Sequence, residues 1–313
     1  MSKLVTVFGA AGFVGRYVCQ ELAARDARIR AVSRDPNTAL FLRPLAGLGQ
    51  MALVRASLAH EESVMNACEG VDAVVNLVGI LDESGSQDFD DVHVDGARRV
   101  AEAAKAGGAK SFVQISAIGA NPDAEAGYAR TKGLGEEAVL EAFPGATILR
   151  PSIVFGPEDE FLNRFAGMIR SLPVMPVVGG NAEFQPIYVG DLAEAIAAAA
   201  LDPADHAGKT YELGGPTVVT MRELLHWIAR TIGKDENFVE VPDGVTGRLA
   251  KIFGWMPGAP MTYDQWLMLQ KPNVVSGENG LQAFGVSPTP MQAVAPNWMV
   301  HYRRHGRFTQ IKQ

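Results

Sequence analysis

The first half of the chain alternates short β-branched and apolar runs with stretches whose apolar positions recur every three to four residues. The runs predict strands at Leu4–Phe8, Arg28–Val32, Met51–Val54, Ala73–Val78, Ser111–Ile115 and Ala146–Leu149. The helical period between them predicts helices over Phe13–Arg25, Glu61–Cys68, Val92–Ala106 and Ala129–Ala142. Val14, Tyr17, Val18 and Leu22 share one face of the first. Strands that alternate with helices through short connections predict a parallel sheet covered on both faces. Right-handed crossovers leave a doubly wound sheet as the simplest topology.

The pattern changes after Arg150. Pro151, Pro157, Pro173, Pro176 and Pro186 cut the chain into short pieces. Helical periodicity returns at Asp191–Leu201 and Met221–Ile232, before a stretch rich in proline, methionine and tryptophan. The expected organisation is α/β: residues 1–155 as a sheet domain completed by about 186–215, with 156–185 and 216–313 as a smaller C-terminal substrate lobe. Such a lobe would close over the strand C-termini, where ligands bind in doubly wound sheets. The chain has no internal repeat and no low-complexity stretch.

With 313 residues, 47% of them hydrophobic, the chain is long enough for a large core. A net charge of −7 argues against a nucleic-acid partner, which selects a basic face. Two cysteines, Cys19 and Cys68, imply no disulfide framework, so a reducing, cytoplasmic compartment is expected. Apolar runs such as Val74–Leu81 fall far short of the roughly 20 residues of a membrane span, and no secretory leader is expected. The last acidic residue is Glu278, and Arg303, Arg304, Arg307 and Lys312 follow it. That end reads either as a solvated basic tail or as a contact for an acidic partner or anionic membrane surface.

The sharpest motif is Gly9-Ala10-Ala11-Gly12-Phe13-Val14-Gly15, between the first strand and the first helix. Gly9 allows a sharp turn, Gly12 allows the backbone to approach a pyrophosphate, and Gly15 allows the helix to pack on the sheet. The free amides of that helix would hold the phosphates. An acidic residue after the second strand would take the ribose 2′-hydroxyl of NAD(H). Here Ser33 and Arg34 stand there, with Asp35 one step later, and an arginine favours a 2′-phosphate. NADP(H) is therefore the preferred cofactor, with NAD(H) the alternative.

Tyr128-Ala129-Arg130-Thr131-Lys132 opens the helix after the fifth strand. Spacing of four places the phenol and the ammonium on one face, where the cation should favour phenolate and lower the tyrosine pKa. Tyr128 is the candidate acid/base and Lys132 its tuner. Ser116, just past the fifth strand, is the candidate group that orients a substrate oxygen.

These motifs resemble the extended and atypical short-chain dehydrogenases/reductases, the NAD-dependent epimerase/dehydratase-like proteins. Leu149–Pro157 and Gln185–Leu192 are similar to later motifs of that superfamily. Arg150–Phe165, Asn273-Val274-Val275 and Pro296–Arg303 resemble one branch of it, which contains the nucleotide-binding accessory subunit of mitochondrial complex I and its bacterial relatives. The resemblance implies a Rossmann-type fold and cofactor contacts at Gly9, Gly12, Phe13, Val14, Arg34, Leu58, Leu77, Val78, Gly79, Tyr128, Lys132 and the Pro151–Ile153 segment. Three positions depart from the family pattern. Ser57 replaces an acidic residue that holds adenine, His93 replaces an asparagine of the proton relay, and the family serine aligns with either Ser116 or Ala117.

Two functions follow, with a third behind them. The chain is an oxidoreductase or epimerase/dehydratase that transfers a hydride at a hydroxyl or carbonyl carbon, or a non-catalytic nucleotide-binding subunit docked on respiratory complex I or a membrane-peripheral assembly. A redox-sensing regulator is the weaker third. His301 and His305 lack the further ligands of a metal site, and Glu158-Asp159-Glu160 reads as a loop or helix N-terminus, so no metal is expected. Trp255, Trp266, Trp298, Met256, Met261 and Met268 are expected in the core of the smaller lobe.

Overall fold

The computed structural model describes residues 2–83, 88–235, 237–253 and 261–308. Trp255, Met256 and Lys312 lie outside them. The chain divides into two compact units, Met1–Pro151 with Val189–Leu213 and Gly277–Ser287, and Ser152–Tyr188 with Gly214–Ser276 and Pro288–Gln313.

The first unit alternates strand and helix: β1 (Leu4–Phe8), α1 (Phe13–Ala24), β2 (Arg28–Ser33), β3 (Met51–Arg55), α2 (Glu61–Cys68), β4 (Ala73–Asn76), α3 (Gly96–Ala106), β5 (Ser111–Ile115), α4 (Gly127–Ala142) and β6 (Thr147–Pro151). The chain then enters the second unit through β7 (Val154–Phe155), α5 (Leu162–Ser171), β8 (Met175–Val177), β9 (Glu183–Phe184) and β10 (Ile187–Tyr188). It returns with α6 (Val189–Leu201) and β11 (Thr210–Leu213). The result is a seven-stranded sheet in the order β11-β6-β5-β4-β1-β2-β3, parallel at every pairing. Central strands have helices on both sides, which is why β1 and β4 read as apolar runs without alternation.

One face of the sheet packs Phe8, Val74, Phe112 and Ile148 against Val64 and Cys68 of α2, Val100 and Ala104 of α3, and Val139 of α4. Full burial of a side chain such as Phe112 contributes about 1.5–3 kcal/mol. On the other face α1 lies against α6. The strand order reverses at β1, whose neighbours are β2 and β4, so the crevice at their carboxyl ends is where such a sheet takes ligands.

In the second unit the short strands pair as β7 with β10, β9 with β12 (Val219–Thr220) and β8 with β13 (Phe238–Glu240). Helix α7 (Met221–Ile232) opens with a Thr220/Glu223 capping box and closes on Gly233 at φ +69°, the left-handed stop expected of a glycine there. It packs Leu224, Leu225 and Ile228 against Leu162, Ala166 and Ile169 of α5. Helices α8 (Asp243–Phe253), α9 (Tyr263–Leu269), α10 (Met291–Val294) and α11 (Pro296–Met299) complete it. Trp298 packs against this core from a half-buried position, and Trp266, Met261 and Met268 are half-buried as well. No helix among the described residues is long and apolar enough to cross a membrane.

Several predicted elements change. The helix expected over Val92–Ala106 is α-helical only from Gly96, and Asp90–Asp95 before it forms a π-helical turn. The fourth strand ends at Asn76, because the Asn76 side chain accepts the Val78 N–H and turns the chain out of the sheet. A 3-10 run over Pro36–Leu45, helix α5 and the seventh strand, Thr210–Leu213, were not among the predicted elements.

Candidate functional site

The turn after β1 depends on its glycines. Gly9 has φ +80°, and a Cβ there would stand 3.3 Å from Leu77. A Cβ on Gly15 would stand 2.3 Å from the Gly9 carbonyl oxygen and 2.6 Å from that of Ala10, so only glycine fits. Gly12 caps α1 without a side chain, its N–H donating to the Gly9 carbonyl at 3.0 Å, and the first helical turn, with Phe13 and Val14, carries no acidic residue. A helix mouth with no side-chain cap and no acidic residue in its first turn fits the pyrophosphate of a dinucleotide.

At the end of β2, Ser33 donates its hydroxyl to the Asp35 carbonyl at 2.9 Å. The Asp35 carboxylate accepts the Asn37 N–H at 3.0 Å and caps the 3-10 run, so it is turned to structural use. Arg34 is exposed beside them. Leu58, Leu77 and Val78 are half-buried in the loops after β3 and β4, and Gly79 is exposed. The Leu58 carbonyl accepts from the Arg99 guanidinium.

Helix α4 starts at Gly127, two residues earlier than predicted, which puts Tyr128 in its first turn and Lys132 one turn on. Lys132 is buried, with Nζ 5.8 Å from the centre of the Tyr128 ring and 3.4 Å from the Ile115 carbonyl oxygen. It also lies 3.1 Å from where a Cβ on Gly79 would stand, so glycine keeps that approach open. Burial, more than mutual attraction, sets their acidity. It pushes Tyr128 up to about 12, contrary to the lowering expected from the sequence. It also pushes Lys132 down to about 8, against the Glu136 charge, which raises it. Low dielectric disfavours phenolate and ammonium alike. Tyr128 is therefore protonated at neutral pH, the form that can donate to a substrate oxygen.

His93, on the π-helical turn, closes this cluster. Its Nε2 accepts the Ile80 N–H at 3.1 Å, so Nδ1 carries the proton and donates to Thr131 Oγ, also at 3.1 Å. Thr131 donates its own hydroxyl to the Gly127 carbonyl at 2.9 Å. The ring stacks on Phe89, with centroids 5.4 Å apart, and meets Tyr128 edge-on at 5.5 Å. Burial, helped by the Lys132 charge, pushes it down to about 3. A locked, neutral imidazole stands where the family pattern has an asparagine.

Ser116 follows β5 with its N–H on the Leu149 carbonyl at 2.8 Å. Its hydroxyl is buried and has no hydrogen-bond partner. A buried hydroxyl left so costs about 1–3 kcal/mol, so the position fits an incoming polar group. Ala117 has no polar side chain to offer. Pro151 ends β6, its carbonyl accepting the Ile118 N–H, while Ile153 belongs to the second unit, its N–H donating to Asn273 Oδ1 at 3.0 Å.

Sequence reasoning missed Thr131, Glu136 and the side chain of Arg150. Glu136 takes Arg150 in a two-pronged ion pair, at 2.8 Å to Nε and 2.5 Å to Nη2. The spacing of Tyr128, Lys132 and Glu136 was a usable signal. The pairing with Arg150 on β6 was not. Asp159, within the Glu158–Glu160 run, is buried and accepts the N–H groups of Gly156, Leu162 and Asn163 at the start of α5. His301 and His305 are exposed, and among the described residues no group of three or more His, Cys, Asp or Glu could hold a metal ion.

A parallel sheet with this order, a glycine-turned helix mouth and a tyrosine–lysine pair defines a nucleotide-binding α/β protein of the short-chain dehydrogenase/reductase kind. The family model described as "NAD dependent epimerase/dehydratase family" matches residues 5–214, and the chain belongs to that family. It is 32% identical over 97% of its length, and 79% of the relative's, to NADH dehydrogenase [ubiquinone] 1 alpha subcomplex subunit 9, mitochondrial, of Arabidopsis thaliana. It is 30% identical to the ceramide reductase of Caulobacter vibrioides, over 80% of this chain and 78% of that one. In fold it is similar to the NADPH-dependent quinone oxidoreductase QOR2 of Escherichia coli in complex with NADPH, at TM-score 0.73 and 22% identity, covering 95% and 99% of the two chains.

Proposed function

We propose that the chain is a nicotinamide-dependent reductase in which Tyr128 gives a proton to a substrate carbonyl oxygen, with NADP(H) preferred over NAD(H). The observation that carries this is the pair of Tyr128 and buried Lys132, with Lys132 at the Ile115 carbonyl and the unpartnered Ser116 hydroxyl on the next residue. The Gly9–Gly15 turn, Phe13 and Val14 would hold the pyrophosphate, Ser33 and Arg34 the adenosine ribose, and Leu58, Leu77, Val78 and Gly79 the rings. Lys132 would hold the nicotinamide ribose, with Pro151 and Ile153 nearby on the chain. When bound, the reduced nicotinamide supplies a hydride. Ser116 orients the carbonyl, Tyr128 donates to its oxygen, and the Lys132 charge stabilises the phenolate left behind. The Caulobacter relative, named a ceramide reductase, supports a reductive role.

Titrating the protein with NADPH and NADH, followed by cofactor fluorescence, tests the cofactor. The expected result is NADPH binding at least about tenfold tighter, the scale of one charge-assisted contact. Equal affinity removes the Arg34 argument, and no binding ends the reading. Tyr128→Phe should lower any reductase or epimerase rate by about 100-fold or more, as loss of a general acid does. An unchanged rate rejects Tyr128 as the acid.

A second reading is favoured by the complex I relatives, of which the Arabidopsis subunit is one. In it the chain binds the nucleotide for stability and docks, without turnover, on respiratory complex I or another assembly at the inner membrane surface. The neutral His93, in place of a relay asparagine, suits that role.

A further inference from the structure

Tyr128, Lys132 and Glu136 lie at successive turns on one face of α4, and the Glu136 carboxylate is gripped by both prongs of Arg150 on β6. Arg150 is in turn the register partner of Glu212 on β11. Charges therefore alternate inward from the sheet edge: Glu212, Arg150, Glu136, Lys132. We propose that Glu136 is a positioning residue that keeps Lys132 charged, and that Arg150 serves this by fixing the carboxylate one helical turn below the ammonium. The proposal rests on the reading of Lys132 as a working group beside Tyr128.

The surroundings leave Glu136 this task. Around Lys132, His93 comes from the π-helical turn and is neutral, Tyr128 is protonated, and β5 offers only the Ile115 carbonyl. Burial favours the neutral amine at Lys132, and the Glu136 charge opposes that. Neighbours four apart on a helix stand close enough for a strong pull at low dielectric. A carboxylate free to rotate would lose that effect to solvent. The rigid fork of arginine holds it in a way a lysine in the same place would only approximate.

The test is trace acetylation of the full-length protein with acetic anhydride between pH 6 and 10, with Lys132 followed by peptide mass spectrometry. Only the neutral amine reacts, so the midpoint of the rate's pH profile reports the Lys132 proton, while its height reflects access to the buried amine. Glu136→Gln should lower the Lys132 midpoint by about one pH unit, which from about 8 speeds acetylation at pH 7 by about fivefold. Glu136→Gln with Arg150→Met, which leaves no lone buried charge, should show acceleration of the same sign. Arg150→Lys should stay within about twofold of the parent, because the cation is kept. Glu212→Gln, on the far side of Arg150, should do likewise. Parent-like acetylation in the folded double variant overturns the proposal. So does equal acceleration in Glu212→Gln, or failure of both Glu136 variants to fold, which would make the pair purely structural. The reaction needs no dinucleotide. A chain that binds neither NADPH nor NADH thus fails the proposed function while this result still stands or falls separately.

Discussion

At His93 the protein buries an imidazole that its surroundings hold neutral. Both ring nitrogens are engaged, one accepting the Ile80 N–H and one donating to Thr131, and Lys132 is its charged neighbour. A protonated ring would lose the Ile80 bond and face a cation. In the folded state the ring titrates near 3, whereas an unfolded histidine titrates near 6.5. Between those values the unfolded chain binds the extra proton, so this contribution is fully present above pH 6.5 and is lost as the pH falls. At pH 5 the loss is about 2 kcal/mol. Urea unfolding at pH 7 and pH 5 reads it: the parent should lose about that much more stability than His93→Asn, which has nothing to protonate. Identical pH dependence in the two proteins would mean that the ring charges in place. The site's residues were legible to unequal degrees. Tyr128 and Lys132 announced themselves through a spacing within one helix, and Ser116 through its place after a strand. The bonds of His93 to Ile80 and Thr131, and of Glu136 to Arg150, join separate elements, and no spacing along the chain encodes them.

Close approach between elements explains why α4 is rich in glycine as well as in chemistry. A Cβ on Gly135 would stand 2.0 Å from the His93 carbonyl oxygen, and one on Gly133 would stand 2.4 Å from the Pro122 nitrogen. Backbone cannot yield as a side chain can, so α4 reaches the π-helical turn at Gly135, and the Asn121–Pro122 segment at Gly133, only because these residues lack side chains. Gly135→Ala should therefore destabilise the protein by about 2–4 kcal/mol, well above a normal surface change. Gly145→Ala is the control: its Cβ would meet only the Phe143 ring, at 3.6 Å, so thermal unfolding should barely shift. Equal effects of the two would mean that α4 and the turn are not tightly apposed. The same apposition shows where pattern reading stops. The central strands β1 and β4 were legible because a sheet buried on both faces demands continuous apolar runs. The π-helical turn keeps the apolar spacing of an ordinary helix closely enough to be read as one. Strands of two or three residues, such as β7, β9 and β10, carry too few positions for any period. Thr210–Leu213 lies at one edge of the sheet and alternates polar and apolar positions over only four residues.

For the molecule as a whole, the distribution of charge bears on where it works. A net charge of −7 repels an anionic membrane surface, yet beyond Glu278 every charged side chain is basic. The second unit already uses part of that end. Arg303 donates to the Thr231 carbonyl at 2.9 Å, and Met299 is buried in the core with α5 and α7. Removing everything from Pro296 would thus take Met299 and Arg303 out of that unit. A chain stopped after Gly306 keeps Met299 and Arg303 and loses Arg307, Lys312 and the exposed Phe308. If the peripheral docking reading holds, full-length protein should float with vesicles rich in anionic phospholipid at low salt. The shortened chain should bind about 30-fold more weakly, since each basic residue near such a surface is worth about 1 kcal/mol. Raising the salt should release the full-length protein, because a Debye length of about 10 Å at 0.1 M screens exposed charge. Equal flotation of the two chains, or binding that ignores salt, would remove the basic end from the docking surface. The complex I relatives would then have to be matched through the second unit's other exposed groups, such as Leu172, Val174 and Val239.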